Sequence, residues 1–142
     1  MTAIDTNILL ELLVDTHPDH RASLKALGNN LNDEIGLTSV NIAETLRLLT
    51  HPKVFSPCLK MKHAVELIND FIEANQVHLL GESKTWWKDV GVFAAKEIPD
   101  LRGNEIFDAQ IASCLKYNGA RKIWTRDSDF QKFTFLQVIH EL

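Results

Sequence analysis

The chain has 142 residues, 45% of them hydrophobic and 24% charged, and its 15 Lys and Arg against 19 Asp and Glu give a formal net charge of −4. That length and apolar content fit one domain, residues 1–142, with a single sizeable core. The negative total argues against a protein that holds nucleic acid by its overall field. The chain also lacks the roughly 18 consecutive apolar residues of a membrane span and a basic, apolar export leader, and the widely spaced Cys58 and Cys114 fit free thiols in a reducing cytoplasm.

Met1 to Asp5 reads as a short first strand and Asn7 to Val14 as a helix, which places Asp5 at the carboxyl end of the strand. Beyond His17-Pro18, a helix over Asp19 to Leu27 is expected to stop at Gly28-Asn29-Asn30. Glu34 to Thr38 is a second strand. Ser39 is the expected N-cap of a helix whose apolar stripe is Ile42, Leu46 and Leu49, and Pro52 and Pro57 interrupt helical structure beyond it. Lys60 to Asn75 has helical spacing, Val77 to Leu80 is a short buried strand, and Ser83 to Glu97 is a helix with Trp86, Val90 and Phe93 on one face. A further helix, Glu105 to Tyr117, stops at Asn118-Gly119. Lys122 to Thr125 is a strand, succeeded by a turn or short helix through Phe133 and a last strand at Leu136 to Ile139. Alternating strands and helices predict an α/β domain with a mostly parallel sheet.

In such sheets the functional crevice lies beyond the carboxyl ends of the strands, where Asp5 and Asp127 fall. Asp108 lies in the first turn of its helix, at the border of the apolar face. Taken alone, a helix-dipole role explains it. Glu44 alone looks like an ordinary exposed glutamate. Together the four are different: two carboxylates about 5 Å apart repel by roughly 3 kcal/mol at an effective dielectric near 20, so an ionised cluster needs a cation. Hard oxygen donors select magnesium or manganese over zinc.

At these residues the chain resembles the PIN-domain ribonucleases, and more narrowly the VapC-type toxins of bacterial toxin-antitoxin systems. The resemblance is carried by Ala3-Ile4-Asp5-Thr6-Asn7-Ile8-Leu9, by Asn41-Ile42-Ala43-Glu44 with Leu46-Arg47, by Asn104-Glu105-Ile106-Phe107-Asp108-Ala109-Gln110-Ile111-Ala112, and by Thr125-Arg126-Asp127-Ser128-Asp129-Phe130. Thr50-His51-Pro52-Lys53-Val54-Phe55 is similar to one VapC subgroup, and Ser113 replaces an alanine common in the third block. Four blocks in order cover the whole chain. The resemblance implies a PIN-like fold over 1–142 with a five-stranded parallel sheet flanked by helices. It also implies Mg2+ or Mn2+ held by Asp5, Glu44, Asp108 and Asp127, and cleavage of RNA to 5'-phosphate and 3'-hydroxyl ends. A homodimer and a VapB-like antitoxin that inserts a segment into the active-site groove belong to the same expectation.

Thr6 and Asn7 are placed to orient Asp5, and Thr125 to orient Asp127, while Asp129 reads as a peripheral acid. From Thr45 to Val65 there is no acidic residue, and Arg47, Lys53, Lys60 and Lys62 form a candidate phosphate-facing strip. Substrate backbone is expected along Arg47, Lys53, Arg102, Arg121, Lys122 and Arg126. Trp86 and Trp87 are candidates for base stacking, against core packing for Trp86. The competing reading is an inert PIN-like module that binds RNA or a partner without cutting.

Overall fold

A computed structural model describes residues 1–142. The elements run β1 (Thr2–Ile4), α1 (Thr6–Leu13), α2 (His20–Asn30), β2 (Ile35–Thr38), α3 (Ser39–Leu49), α4 (Met61–Ala74), β3 (His78–Leu80), α5 (Trp86–Lys96), α6 (Glu105–Tyr117), β4 (Lys122–Trp124), a 3-10 helix (Ser128–Lys132) and β5 (Gln137–Ile139). The five strands form one sheet in the order β3-β2-β1-β4-β5. Every pairing is parallel, with Ala3 opposite Gly36 on one side and Ile123 on the other. This is the α/β architecture expected from the sequence.

Both faces of the sheet are covered, as a parallel sheet requires. Successive residues of β1 and β4 therefore enter different cores. Ala3 and Ile123 pack with Ile111, Leu115, Phe93 and Phe133 under α5 and α6, while Ile4 and Trp124 pack with Ile8, Leu9, Leu12 and Phe71 under α1 and α4. A third cluster, Leu49, Ala64 and Ile68, joins α3 to α4. No helix is long and apolar enough to cross a membrane.

Four local expectations change, the first being that β3, expected to be buried, is an edge strand with His78 and Leu79 exposed. Helix α2 continues through Gly28 to Asn30, because Ala26, Leu27 and Leu31 pack against the second core and hold that stretch helical. The N-cap of α3 is Thr38 and not Ser39: the Thr38 hydroxyl accepts from the Asn41 N–H at 3.2 Å, and Ser39 Oγ donates to Glu82 instead. The most buried line of α3 is Val40, Asn41, Thr45 and Leu49, with Ile42 and Leu46 only partly buried against the neighbouring helices. The predicted stop of α6 is met in detail. Gly119 takes φ +71°, its N–H bonds the Lys116 carbonyl and that of Ala120 bonds Leu115, a Schellman closure that a Cβ would strain.

Candidate metal centre

The chain runs outward from β1 through β2 to β3, then returns past β1 to lay down β4 and β5. A crevice at the carboxyl ends of β1 and β4 results from that reversal. Asp5 stands directly after β1 and caps α1, its Oδ1 accepting from the Thr6 N–H at 2.8 Å. It is 6% exposed, so its oxygens need donors from the protein. Thr125 Oγ1, just past β4, donates to Oδ2 at 2.6 Å. Asn41 Nδ2 donates to Oδ1 at 3.0 Å, and Asn7 Nδ2 reaches Oδ2 at 3.4 Å. Burial raises the Asp5 pKa, the Thr125 and Thr6 hydrogen bonds oppose that rise, and the charges of Glu44 and Asp127 add to it.

Asn41 is the residue that sequence reasoning overlooked. It is 1% exposed; its amide donates to both Asp5 and Thr6 Oγ1, while its Oδ1 accepts from Thr38 Oγ1 at 2.7 Å. One side chain thereby links the end of β2, the start of α1 and the acid after β1. Thr6 passes the connection on, donating from Oγ1 to Glu44 Oε2 at 2.8 Å. The sequence signal is its place in the Asn41-Ile42-Ala43-Glu44 block, three positions before Glu44, where no role is assigned to it.

The second half of the site is made differently. Asp108, from the first turn of α6, lies with Asp127 and Asp129 so that one carboxylate oxygen from each falls within 4.8 Å of the others. Asp127 caps the 3-10 helix through Oδ1 and the Asp129 N–H at 2.8 Å, and its own N–H donates to Thr125 Oγ1 at 2.9 Å. No protein cation neutralises Asp108. Its pKa is pushed up to about 7, by burial first and then by the charges of Asp127, Asp5, Glu44 and Asp129. Burial and four like charges together disfavour its ionised form. The donor set is oxygen alone, which suits magnesium or manganese.

The structure thus brings Asp5, Glu44, Asp108 and Asp127 to one end of the sheet, with Thr6, Asn7 and Thr125 bonded among them. Asp129, expected at the periphery, contributes an oxygen to the tightest group. An open cavity of about 860 Å³ adjoins them, lined in part by Glu44, Asp108, Arg47, Asn104 and the half-exposed Phe107. Of the expected phosphate contacts, Arg47 lines this cavity, and Lys53 and Arg102 are exposed. Arg121 and Lys122 are not brought to it. They stand at the amino end of β4, a strand length of roughly 10 Å from the acids, where Lys122 Nζ lies 3.3 Å from Asp33 Oδ2. The Arg126 guanidinium is engaged by Glu11. Trp86 packs against the larger core, and Trp87 is 56% exposed.

Comparison with known proteins agrees with this geometry. Over 93 residues the chain is 32% identical to Ribonuclease VapC48 of Mycobacterium tuberculosis, a stretch covering 66% of this chain and 63% of that relative. The match therefore spans less than two thirds of the relative's length. Among solved structures, Mycobacterium tuberculosis VapC20, described as a sarcin-ricin loop cleaving toxin, superposes with TM-score 0.71 at 16% identity, covering 98% of this chain and 99% of that one. VapBC-1 of nontypeable Haemophilus influenzae gives 0.64 at 20% identity over 96% and 95%. These likenesses show the fold. Residues 2–136 match the sequence profile of the PIN domain, and with the sheet order and the gathered acids described above, the chain belongs to the PIN-domain family.

Proposed function

We propose that this chain is a divalent-metal-dependent endoribonuclease, Mg2+ or Mn2+ being the ion, and the toxin of a VapBC-type toxin-antitoxin pair, with residues 1–142 working as one catalytic unit. The observation that carries the reading is Asp108, a carboxyl raised to about 7 among Asp127, Asp5, Glu44 and Asp129. Five acids drawn together from distant parts of the chain repel one another when ionised, and a cation relieves that repulsion. Asp5, Glu44, Asp108 and Asp127 would hold it. When bound, such an ion supplies Lewis acidity and an acidified water for phosphodiester hydrolysis.

The protein's own part is orientation. Thr125, Thr6, Asn41 and Asn7 fix both oxygens of Asp5, and Thr6 fixes Glu44, so these two carboxylates meet a substrate without rearranging. RNA lies in the adjoining cavity, with Arg47, Lys53 and Arg102 contacting phosphates and the Phe107 ring stacking on a base beside Asp108. The fold neighbour solved as VapBC-1 supports an antitoxin partner, which would occupy the same cavity; a homodimer belongs to the same proposal.

The test is expression in a bacterium with and without Asp5→Asn, together with mapping of RNA ends. Discrete new 5'-phosphate ends and growth arrest, both lost in the variant, are expected. Equal cleavage by the two proteins overturns the scheme. Calorimetric titration with Mn2+ separates the enzyme from an inert binding module, which would take up no ion.

A further inference from the structure

Glu11 is a buried charge with no part in the chemistry of the acidic cluster. It sits in the last turn of α1 at 4% exposure, where a carboxylate without a partner is strongly disfavoured. Its partner is Arg126, which donates from Nε to Oε1 at 3.0 Å and from Nη2 to Oε2 at 2.8 Å, a two-pronged fork. Ser23 Oγ of α2 donates to the same carboxylate. Burial raises the Glu11 pKa, but the Arg126 and Ser23 hydrogen bonds together with the charges of Arg126 and His17 more than offset it and leave the group below the ordinary glutamate range.

The position of Arg126 in the chain gives this pair its meaning. It is the single residue between Thr125, which holds Asp5, and Asp127, which faces Asp108. Helix α1 grips it twice. Asn7 Oδ1 accepts from the Arg126 N–H at 3.2 Å, and Glu11, four residues on and so on the same helix face, takes the guanidinium. A third tie comes from beyond β5: the His140 carbonyl accepts from Nη1, and His140 Nδ1 lies 2.9 Å from the Thr125 carbonyl oxygen. An arginine bound only to stabilise the surface would not need its backbone and its side chain anchored on successive turns of the helix that begins at Asp5.

We propose that Glu11 and Arg126 form a positioning pair that sets the placement of Thr125 and Asp127 relative to Asp5, and through it the affinity of the site for a divalent ion. This rests on the reading of the acidic cluster as a metal site. Arg126 accordingly acts from behind the site and not as a phosphate contact. Groups that orient metal ligands typically change metal affinity about 10–100-fold when altered.

The experiment is calorimetric titration of the whole chain with Mn2+ at low temperature, comparing wild type, Glu11→Gln and Arg126→Lys. Glu11→Gln keeps shape and removes charge; Arg126→Lys keeps charge and removes the fork. Near-UV circular dichroism selects the folded variants, so one that fails to fold leaves the other to decide. Wild-type binding with about 10-fold or greater weakening in the folded variants, and cleavage recovered at high Mn2+, is the expected result. A purely structural pair would lower the melting temperature and leave the Mn2+ affinity of the folded protein alone. A folded variant binding within about twofold of a wild type that does bind overturns the positioning role and spares the metal site; a wild type that takes up no Mn2+ overturns both.

Discussion

The Asp5 half of the site and the Asp108 half solve the problem of a buried carboxylate in opposite ways. Around Asp5 the protein supplies the donors itself, from Thr6, Asn41, Thr125 and Asn7. Around Asp108 it supplies further acids, Asp127 and Asp129, and leaves the proton to compensate. The first half is rigid before any ligand arrives. On the proposed reading the second is completed by a divalent cation, and binding energy is concentrated where like charges meet.

Replacing one acid in each half is the sharpest way to test that contrast. Asp5→Asn and Asp108→Asn should each lower RNA cleavage by about 10³-fold or more, measured as initial rate at saturating Mn2+. Their stabilities should diverge. Asp5→Asn sets an amide donor among donors and destabilises the fold, whereas Asp108→Asn removes repulsion and raises the melting temperature in chelator at pH 8, on the order of 5 °C. Equal shifts of the same sign would break the comparison.

Removing a donor and leaving the acid in place should have the next largest effect. Asn41→Ala is expected to weaken Mn2+ binding about 10–100-fold and to cost about 1–3 kcal/mol of stability, read by calorimetry and denaturant unfolding. Acidity probes the other half. The folded Asp108 carboxyl keeps its proton up to about pH 7, against an ordinary 3.8. Through that interval the folded state binds more protons than the unfolded chain, so this group makes the metal-free protein lose stability as pH rises from about 4 to about 7. Melting in chelator should therefore be highest toward the acid side of that window, and saturating Mn2+ should flatten or reverse the trend. The smallest effect belongs to the cavity wall: Arg47→Ala should weaken RNA binding several-fold and reduce the slope of log affinity against log salt by about 1.

The same contrast marks what the sequence discloses. Asp5 is legible because a short apolar strand gives way at once to a helix, and the parallel α/β pattern says which end of the sheet matters. Asp127 emerges from the same pattern, whereas Asp108, which a helix-dipole role explains when taken alone, stands out through its grouping with the other acids and the family resemblance. Asn41 is not legible, since a polar residue beside an apolar stripe reads as solvent-facing, and only the docking of α3 against the start of α1 turns it inward. Glu11 reads as a mere break in an apolar run for the same reason, its partner being 115 positions away. Arg121 and Lys122 show the converse error, a basic pair whose charge suggests phosphate but whose strand direction carries it to the far end.

Because β1 lies at the middle of the sheet, one of its two neighbours, β4, comes from residues far along the chain, 122–124. The Asp5–Thr125 bond joins residues 120 positions apart, so a polypeptide halted before that point lacks both Asp127 and the hydroxyl that steadies Asp5. On the proposed function, any fragment that stops ahead of Thr125 is therefore expected to be unable to cut RNA.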